Sequence, residues 1–290
     1  MELLRILHII FMSLVFLSVA VSNEFVNKEV IGPAERYVIA VPARLESSRL
    51  PRKVLAEIGG KPMLRHVLER CCKVANVDAV VLCTDSDDLR QLAESWGYSA
   101  LMTSAHCSSG SERIASVADD LMSLVWAEGQ SNPVRTAVIN VQGDQPFLDP
   151  LVIESIIAEF QRCDPIPEVV TPVYNLEPAS IHDPNVVKTV LSQDGRALYF
   201  SRAAVPHIRD VDPSEWHRYT TYWGHVGIYG FRGDVLRTWD QLPLSPLEDL
   251  ERLEQLRLLE AGYSIATFPV ESTSLSVDTA EQLAEARAMV

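Results

Sequence analysis

From residue 37 onward, short uninterrupted apolar runs alternate with longer stretches in which apolar residues recur every three or four positions. Residues 37–43, 79–84, 98–102 and 136–141 carry the pattern of buried strands, and 62–74, 87–96, 111–125 and 150–162 that of helices. Strands apolar on both faces and separated by helices predict a parallel sheet covered on both sides. The second half is less regular. Residues 169–174, 186–191 and 225–231 read as strands without helices of comparable length between them. Residues 247–260 read as one strongly amphipathic helix, 264–270 as a strand, and a last helix starts at 280. No repeat, low-complexity tract or linker divides this stretch. The pattern predicts one α/β domain over 37–290, with a mostly parallel open sheet and an inserted antiparallel arm.

Residues 1–36 stand apart. An apolar run at 9–21 follows Arg5 and His8, and Ala20 and Ser22 have the spacing of a signal-peptide cleavage site. Read as a span, 3–21 is long enough for a short membrane helix; a start codon upstream of the true one is a third reading. Residues 22–36 form a polar connector.

Composition narrows the function classes. The chain is 47% hydrophobic and 22% charged, as a globular protein is, and its formal net charge is −14. So acidic a surface argues against general nucleic-acid binding, which needs a basic face, but it leaves room for a nucleotide held by a few local cations. Cys71, Cys72, Cys83, Cys107 and Cys163 are odd in number and lack C-x-x-C spacing. That argues against a disulfide framework or a structural zinc site.

The first candidate site follows the first strand. Pro42-Ala43-Arg44-Leu45-Glu46-Ser47-Ser48-Arg49-Leu50-Pro51-Arg52-Lys53 places four cations in ten residues, opposed only by Glu46. At the carboxyl end of a parallel strand such a loop suits a triphosphate, whose charge must be neutralised as pyrophosphate leaves. It is no Walker A loop, and a solvated basic loop fits the composition equally well. After the third strand, Thr103 is followed by Ser109-Gly110-Ser111-Glu112-Arg113. Ser109-Gly110 either presents backbone N–H groups to a ligand or simply caps the next helix.

Two carboxylates come next. Gln142-Gly143-Asp144 ends the fourth strand, where a carboxylate on a glycine turn is well placed to hold Mg²⁺. Asp278 is the candidate for a second ligand, although with Glu281 three residues on it also reads as a helix cap. Further along, Arg202 follows the aromatic run Ala197-Leu198-Tyr199-Phe200-Ser201. In a continuous strand His225, Gly227 and Tyr229 share a face and line one pocket wall; each also fits a satisfied core position. Ser245-Pro246-Leu247-Glu248 is a helix start, so Glu248 has a structural reading, while Gln255 two turns on shares its face.

These segments together resemble the CMP-Kdo synthetases (3-deoxy-manno-octulosonate cytidylyltransferases). The matching motifs are P-A-R-x-x-S-x-R-L-P-x-K, G-K-P-M, V-Q-G-D, A-L-Y-F-S-R-A, H-x-G-x-Y, S-P-L-E-x-x-E-x-L-E-Q-L-R and V-D-T, in order, from residue 37 to the C-terminus. Arg52 stands where the family usually has glycine, His106-Cys107 where it has Asp-His, and Gly224 where a basic residue is common. The resemblance implies a Rossmann-like nucleotidyltransferase that transfers CMP from CTP to Kdo in the cytoplasm, or from a membrane anchor at 3–21. It implies CTP contacts from Pro42, Ala43, Arg44, Ser47, Arg49, Lys53, Thr103, Ser109, Gly110, Arg113 and Gln142, with Lys53, Arg44, Asp144 and Asp278 catalytic. Asp144 and Asp278 would hold Mg²⁺, and Arg202, His225, Tyr229, Glu248 and Gln255 would bind the sugar. A homodimer built partly from the antiparallel arm is also implied. The rival readings are a sibling enzyme for sialic acid or an amino-Kdo, and a nucleotide-binding protein that has lost its chemistry.

Overall fold

A computed structural model describes residues 32–47, 50–162, 165–271 and 275–290. Residues 32–290 form a compact unit. The apolar run at 3–21 therefore lies outside the described residues, and among the described ones no helix is long and apolar enough to cross a membrane.

The elements, in chain order, are β1 (Arg36–Ala43), β2 (Glu57–Ile58), β3 (Lys61–Pro62), α1 (Met63–Cys71), β4 (Ala79–Thr84), α2 (Asp87–Ser95) and β5 (Ser99–Met102). There follow α3 (Gly110–Ala115), α4 (Ala118–Ser123), β6 (Thr136–Asn140), α5 (Pro150–Arg162), β7 (Val169–Asn175), β8 (Lys188–Leu191) and β9 (Ala197–Ser201). The chain ends with β10 (Trp223–His225), β11 (Tyr229–Arg232), α6 (Gly233–Arg237), α7 (Pro246–Glu251), α8 (Gln255–Glu260), β12 (Ile265–Val270) and α9 (Ala280–Ala288).

β5, β4, β1 and β6 run parallel in that spatial order, as the early periodicity predicts. β1 is buried along all but its first residue, which is why its sequence does not alternate. On one face Val38 and Ala40 pack with Ile114, Leu121, Leu236 and Trp239. On the other, a Cβ added at Gly230 would meet Ile156 and Phe160 of α5, so that helix lies close against β11. Beyond β6 the sheet turns antiparallel through β11, β7, β10, β8 and β9, while β12 lies parallel to β7. Cys71 and Cys83 are small core residues as expected, Cys72 is exposed, and Cys163 lies outside the described residues.

Three predicted elements prove to be broken. The helix expected over 111–125 is two, α3 and α4, parted at Ser116-Val117. The helix expected over 247–260 is also two, because Arg252 takes a left-handed conformation (φ 55°) that ends α7. Consequently Glu248 and Gln255 do not share a helix face.

The strand expected over 225–231 breaks at Val226-Gly227-Ile228 into β10 and β11. Both halves pair with the same strand, β7, but their register along it differs by two residues. Their other partners differ: β10 pairs with β8 at Trp223 and Gly224, and β11 with β6 from Tyr229 to Arg232. Between β10 and β11, Val226 N still donates to Pro172 O of β7 at 3.1 Å, but residues 226–228 belong to neither strand, and Val226 and Gly227 line a cavity.

Candidate active site

A cavity of about 280 Å³ opens at the carboxyl ends of the parallel strands, where a doubly wound sheet leaves its crevice. Pro42, Ala43, Arg44, Ser47 and Lys53 line it from the loop after β1, and Ser109, Gly110 and Arg113 from the start of α3. Gln142, Asp144 and Asp278 close it from the far side. These belong to four segments well apart in sequence. Arg49 lies outside the described residues.

Lys53 Nζ sits between the two aspartates, 2.7 Å from Asp144 Oδ2 and 2.8 Å from Asp278 Oδ1. Burial lowers the ammonium pKa, but the charge of Asp144, its hydrogen bond and the same contacts from Asp278 outweigh this, and the net shift is upward. Asp144 and Asp278 are brought together by backbone: Val277 N donates to Asp144 O at 2.9 Å. The cap of α9 is Thr279, whose hydroxyl accepts from Gln282 N in a capping box completed by the Gln282 side chain. The cap reading of Asp278 is therefore corrected. It stands one residue before the cap, and its carboxylate faces Lys53.

Arg113 is buried, and its guanidinium donates to Thr103 Oγ1 at 2.5 Å and to Asp85 Oδ2 at 2.9 Å. Thr103 thus reaches the site by holding Arg113 and does not line the cavity itself. Asp85, one residue past β4, was missed by sequence reasoning; its lone carboxylate carries no local pattern. Ser109 caps α3, accepting from Glu112 N at 3.1 Å. Gly110 meets a tighter constraint. A Cβ there would lie 2.8 Å from Gln142 Oε1 and 3.1 Å from Pro42 Cγ, so a larger residue would have to displace the Gln142 amide and press on Pro42.

A second cavity, of about 930 Å³, shares Gly110 and Gln142 with the first. His225, Gly227 and Tyr229 line it from the break between β10 and β11, and Gln255 from the start of α8. The side-chain chain Gln142 Nε2 to Asn140 Oδ1 (3.2 Å), Asn140 Nδ2 to Ser111 Oγ (3.1 Å), and Ser111 Oγ to Glu254 Oε1 (2.7 Å) ties the two cavities together. Three polar atoms among the cavity-lining residues are buried without a hydrogen-bond partner among the described residues: Glu254 Oε2, Gln255 Nε2 and Gln145 Oε1. Such atoms cost free energy unless a ligand satisfies them. Burial raises the Glu254 pKa and pushes the His225 imidazole down to about 3, so His225 is neutral at ordinary pH. Burial, with the Glu254 charge, also raises Tyr229.

Two residues expected on the sugar side are held elsewhere. The Arg202 guanidinium donates to the carbonyls of Glu251, Pro184 and Arg252. Glu248 pairs with Arg257 at 2.6 Å. Neither lines the cavity. In their place the structure brings in Glu254, Gln145 and Tyr174. Glu254 stands inside the S-P-L-E-x-x-E-x-L-E-Q-L-R motif beside Gln255, and Gln145 directly follows V-Q-G-D; only the fold shows which of them faces inward. Tyr174 lies opposite Gly224 in the β7–β10 register, and a Cβ on Gly224 would come within 2.5 Å of its ring. The phenol therefore covers this wall of the cavity beside Gly224.

Comparison with known proteins agrees with this geometry. A family model described as cytidylyltransferase matches residues 38–265. The 3-deoxy-manno-octulosonate cytidylyltransferase of Chlorobaculum parvum is 39% identical over 86% of this chain and 95% of its own length. That of Polynucleobacter necessarius is 41% identical, over 89% and 96%. The 8-amino-3,8-dideoxy-manno-octulosonate cytidylyltransferase of Shewanella amazonensis is likewise 41% identical, over 84% and 94%. Among solved structures, a CMP:2-keto-3-deoxy-manno-octonic acid synthetase complexed with CTP superposes with a TM-score of 0.78 at 38% identity, covering 88% of this chain and 98% of that one. A Leptospira borgpetersenii cytidylyltransferase, with a TM-score of 0.55 at 16% identity, shares the fold. With its cation-rich loop, its facing aspartates and this likeness along nearly its whole folded length, the chain belongs to the cytidylyltransferase family, among the 3-deoxy-manno-octulosonate cytidylyltransferases.

Proposed function

We propose that the protein transfers CMP from CTP to 3-deoxy-D-manno-octulosonate (Kdo), releasing pyrophosphate and activating the sugar for lipopolysaccharide-type glycan synthesis. The observation that carries this is the pair of joined cavities, one built of cations and backbone turns for a nucleotide, the other lined by unpartnered polar atoms that suit a polyhydroxy acid. The anomeric hydroxyl attacks the α-phosphorus in line, and the bond to pyrophosphate breaks as the new one forms. Arg44, exposed at the cavity mouth with no ion pair among the described residues, offers its charge to the phosphates, and Ser47 a hydroxyl. Gly110 and Gln142, common to both cavities, stand where nucleotide and sugar meet. Glu254 Oε2 and Gln145 Oε1 accept from sugar hydroxyls, and Gln255 Nε2 donates to one. No covalent intermediate with the protein is required; catalysis is positioning and electrostatics.

Asp144 and Asp278 fit a magnesium ion: both donors are hard carboxylate oxygens, and they already converge on one cation, the Lys53 ammonium. When bound there, Mg²⁺ would neutralise phosphate charge and favour the ionised nucleophile. CTP is a cytosolic substrate, which supports a cytoplasmic catalytic unit. A homodimer is supported by exposed Leu198 on the sheet-edge strand β9 and exposed Leu250 on α7. The 8-amino analogue is a second reading, favoured by the Shewanella amazonensis relative and by a buried carboxylate oxygen suited to an amine. Pyrophosphate release from CTP and Mg²⁺ across Kdo, 8-amino-Kdo and sialic acid tests these readings together. Kdo is expected to turn over fastest; release with none of the three would leave only a nucleotide-binding protein.

A further inference from the structure

Thr171, midway along β7, is fully buried, and its hydroxyl has three neighbours. Ile228 O lies at 2.9 Å, Val226 O at 3.1 Å and His225 Nε2 at 3.1 Å. A hydroxyl has one hydrogen to give, and both carbonyls can only accept. Given to the imidazole, that hydrogen would leave the threonine oxygen facing two carbonyl oxygens at hydrogen-bond distance with no proton between them. Directed at the carbonyls, it serves them, and the oxygen is left to accept from the ring. The nitrogen facing it is then the N–H. Because burial keeps the imidazole neutral, the ring carries one proton only, and Nδ1 has none. His225 lines the larger cavity, and its Nδ1 makes no hydrogen bond to any described residue.

We propose that Thr171 is a positioning residue of the acceptor site: it locks His225 as the Nε2–H tautomer, leaving Nδ1 as a pure acceptor for a sugar hydroxyl. This rests on the acceptor-site reading above. The same hydroxyl bonds the carbonyls of Val226 and Ile228, so one side chain holds both the joint between β10 and β11 and the polarity of the ring beside it. A neutral ring in the other tautomer would offer a donor, and would repel the hydroxyl hydrogen that the lone pair receives.

The test is ¹⁵N NMR of the histidine side chains in the full-length protein, with the His225 signals assigned by their loss in His225→Gln. The wild type is expected to show a protonated, pyrrole-type Nε2 and an unprotonated, pyridine-type Nδ1. Thr171→Val is expected to move both signals toward a tautomer mixture and to raise KM for Kdo about tenfold, with KM for CTP unchanged. Thr171→Ser should restore both. A wild-type spectrum with Nδ1 protonated would overturn the proposal, as would a Thr171→Val protein that keeps the wild-type tautomer. The tautomer signal needs no turnover. If no acid sugar proves to be a substrate, the functional reading fails while the role of Thr171 is still decided.

Discussion

At the residue scale, the paired aspartates and the buried histidine carry the clearest consequences. Asp144→Asn or Asp278→Asn removes a charge at the point where two carboxylates meet one ammonium. Turnover is expected to fall by about 10²-fold or more, the size of loss seen when an electrostatic contact to a reacting centre is removed. Near-normal pyrophosphate release by either variant would contradict the metal assignment. His225 predicts a pH effect. Its folded pKa is depressed to about 3 by burial, against an ordinary value of 6.5. Between those values the unfolded chain binds a proton that the folded one refuses, so the stability from a neutral His225 is present above 6.5 and lost as pH falls toward 3. The slope from this group is at most about 1.4 kcal/mol per pH unit. Urea unfolding of the wild type and His225→Gln at stepped pH should show a shallower acid loss in the variant. Arg52 is simpler. It is exposed with φ 52° and ψ 34°, a left-handed backbone that costs a non-glycine residue about 1 kcal/mol. Arg52→Gly should raise stability by up to that amount and leave CTP binding intact, as read by denaturant midpoint and KM.

At the scale of elements, the irregular joints build the site. The β10–β11 break, the left-handed Arg252 between α7 and α8, and the split at Ser116-Val117 are all places where a regular pattern in the sequence does not continue in the chain. Local periodicity legibly marks where an apolar face exists, but a break that preserves the apolar spacing leaves no trace in it. Arg252 is an ordinary residue in an ordinary helical pattern; the turn there is held by long-range contacts, Leu253 and Leu256 in the core and the Arg202 guanidinium on the Glu251 and Arg252 carbonyls. The β7–β10 pair offers a direct test. Gly224→Ala puts a methyl group within 2.5 Å of the Tyr174 ring and should cost about 1–3 kcal/mol of stability. In a Tyr174→Ala background the penalty should shrink to what Leu176 Cδ2, 2.7 Å from the same Cβ, still imposes, and equal penalties in both backgrounds would show that the ring is not the obstacle.

For the whole molecule, the first cavity is assembled from segments that begin at Pro42 and end at Asp278, so a nucleotide bound there, as proposed, would hold the two ends of the fold together. CTP at about a hundred times its dissociation constant should raise the unfolding free energy by about 2.7 kcal/mol. Thermal unfolding with and without CTP measures this, and an unchanged midpoint would remove the nucleotide from the first cavity. What the sequence determined by itself is the parallel half of the sheet and most of the residues that line the first cavity. Strands buried on both faces announce themselves as unbroken apolar runs, and the loop after β1 concentrates its cations within ten residues. The tertiary structure alone decided the acceptor side. Whether Glu248 or Glu254, Arg202 or Tyr174 faces the cavity depends on where a helix ends and where a strand parts from its neighbour. Those turns are set by long-range packing, which acts between residues far apart in the chain and so has no local signature.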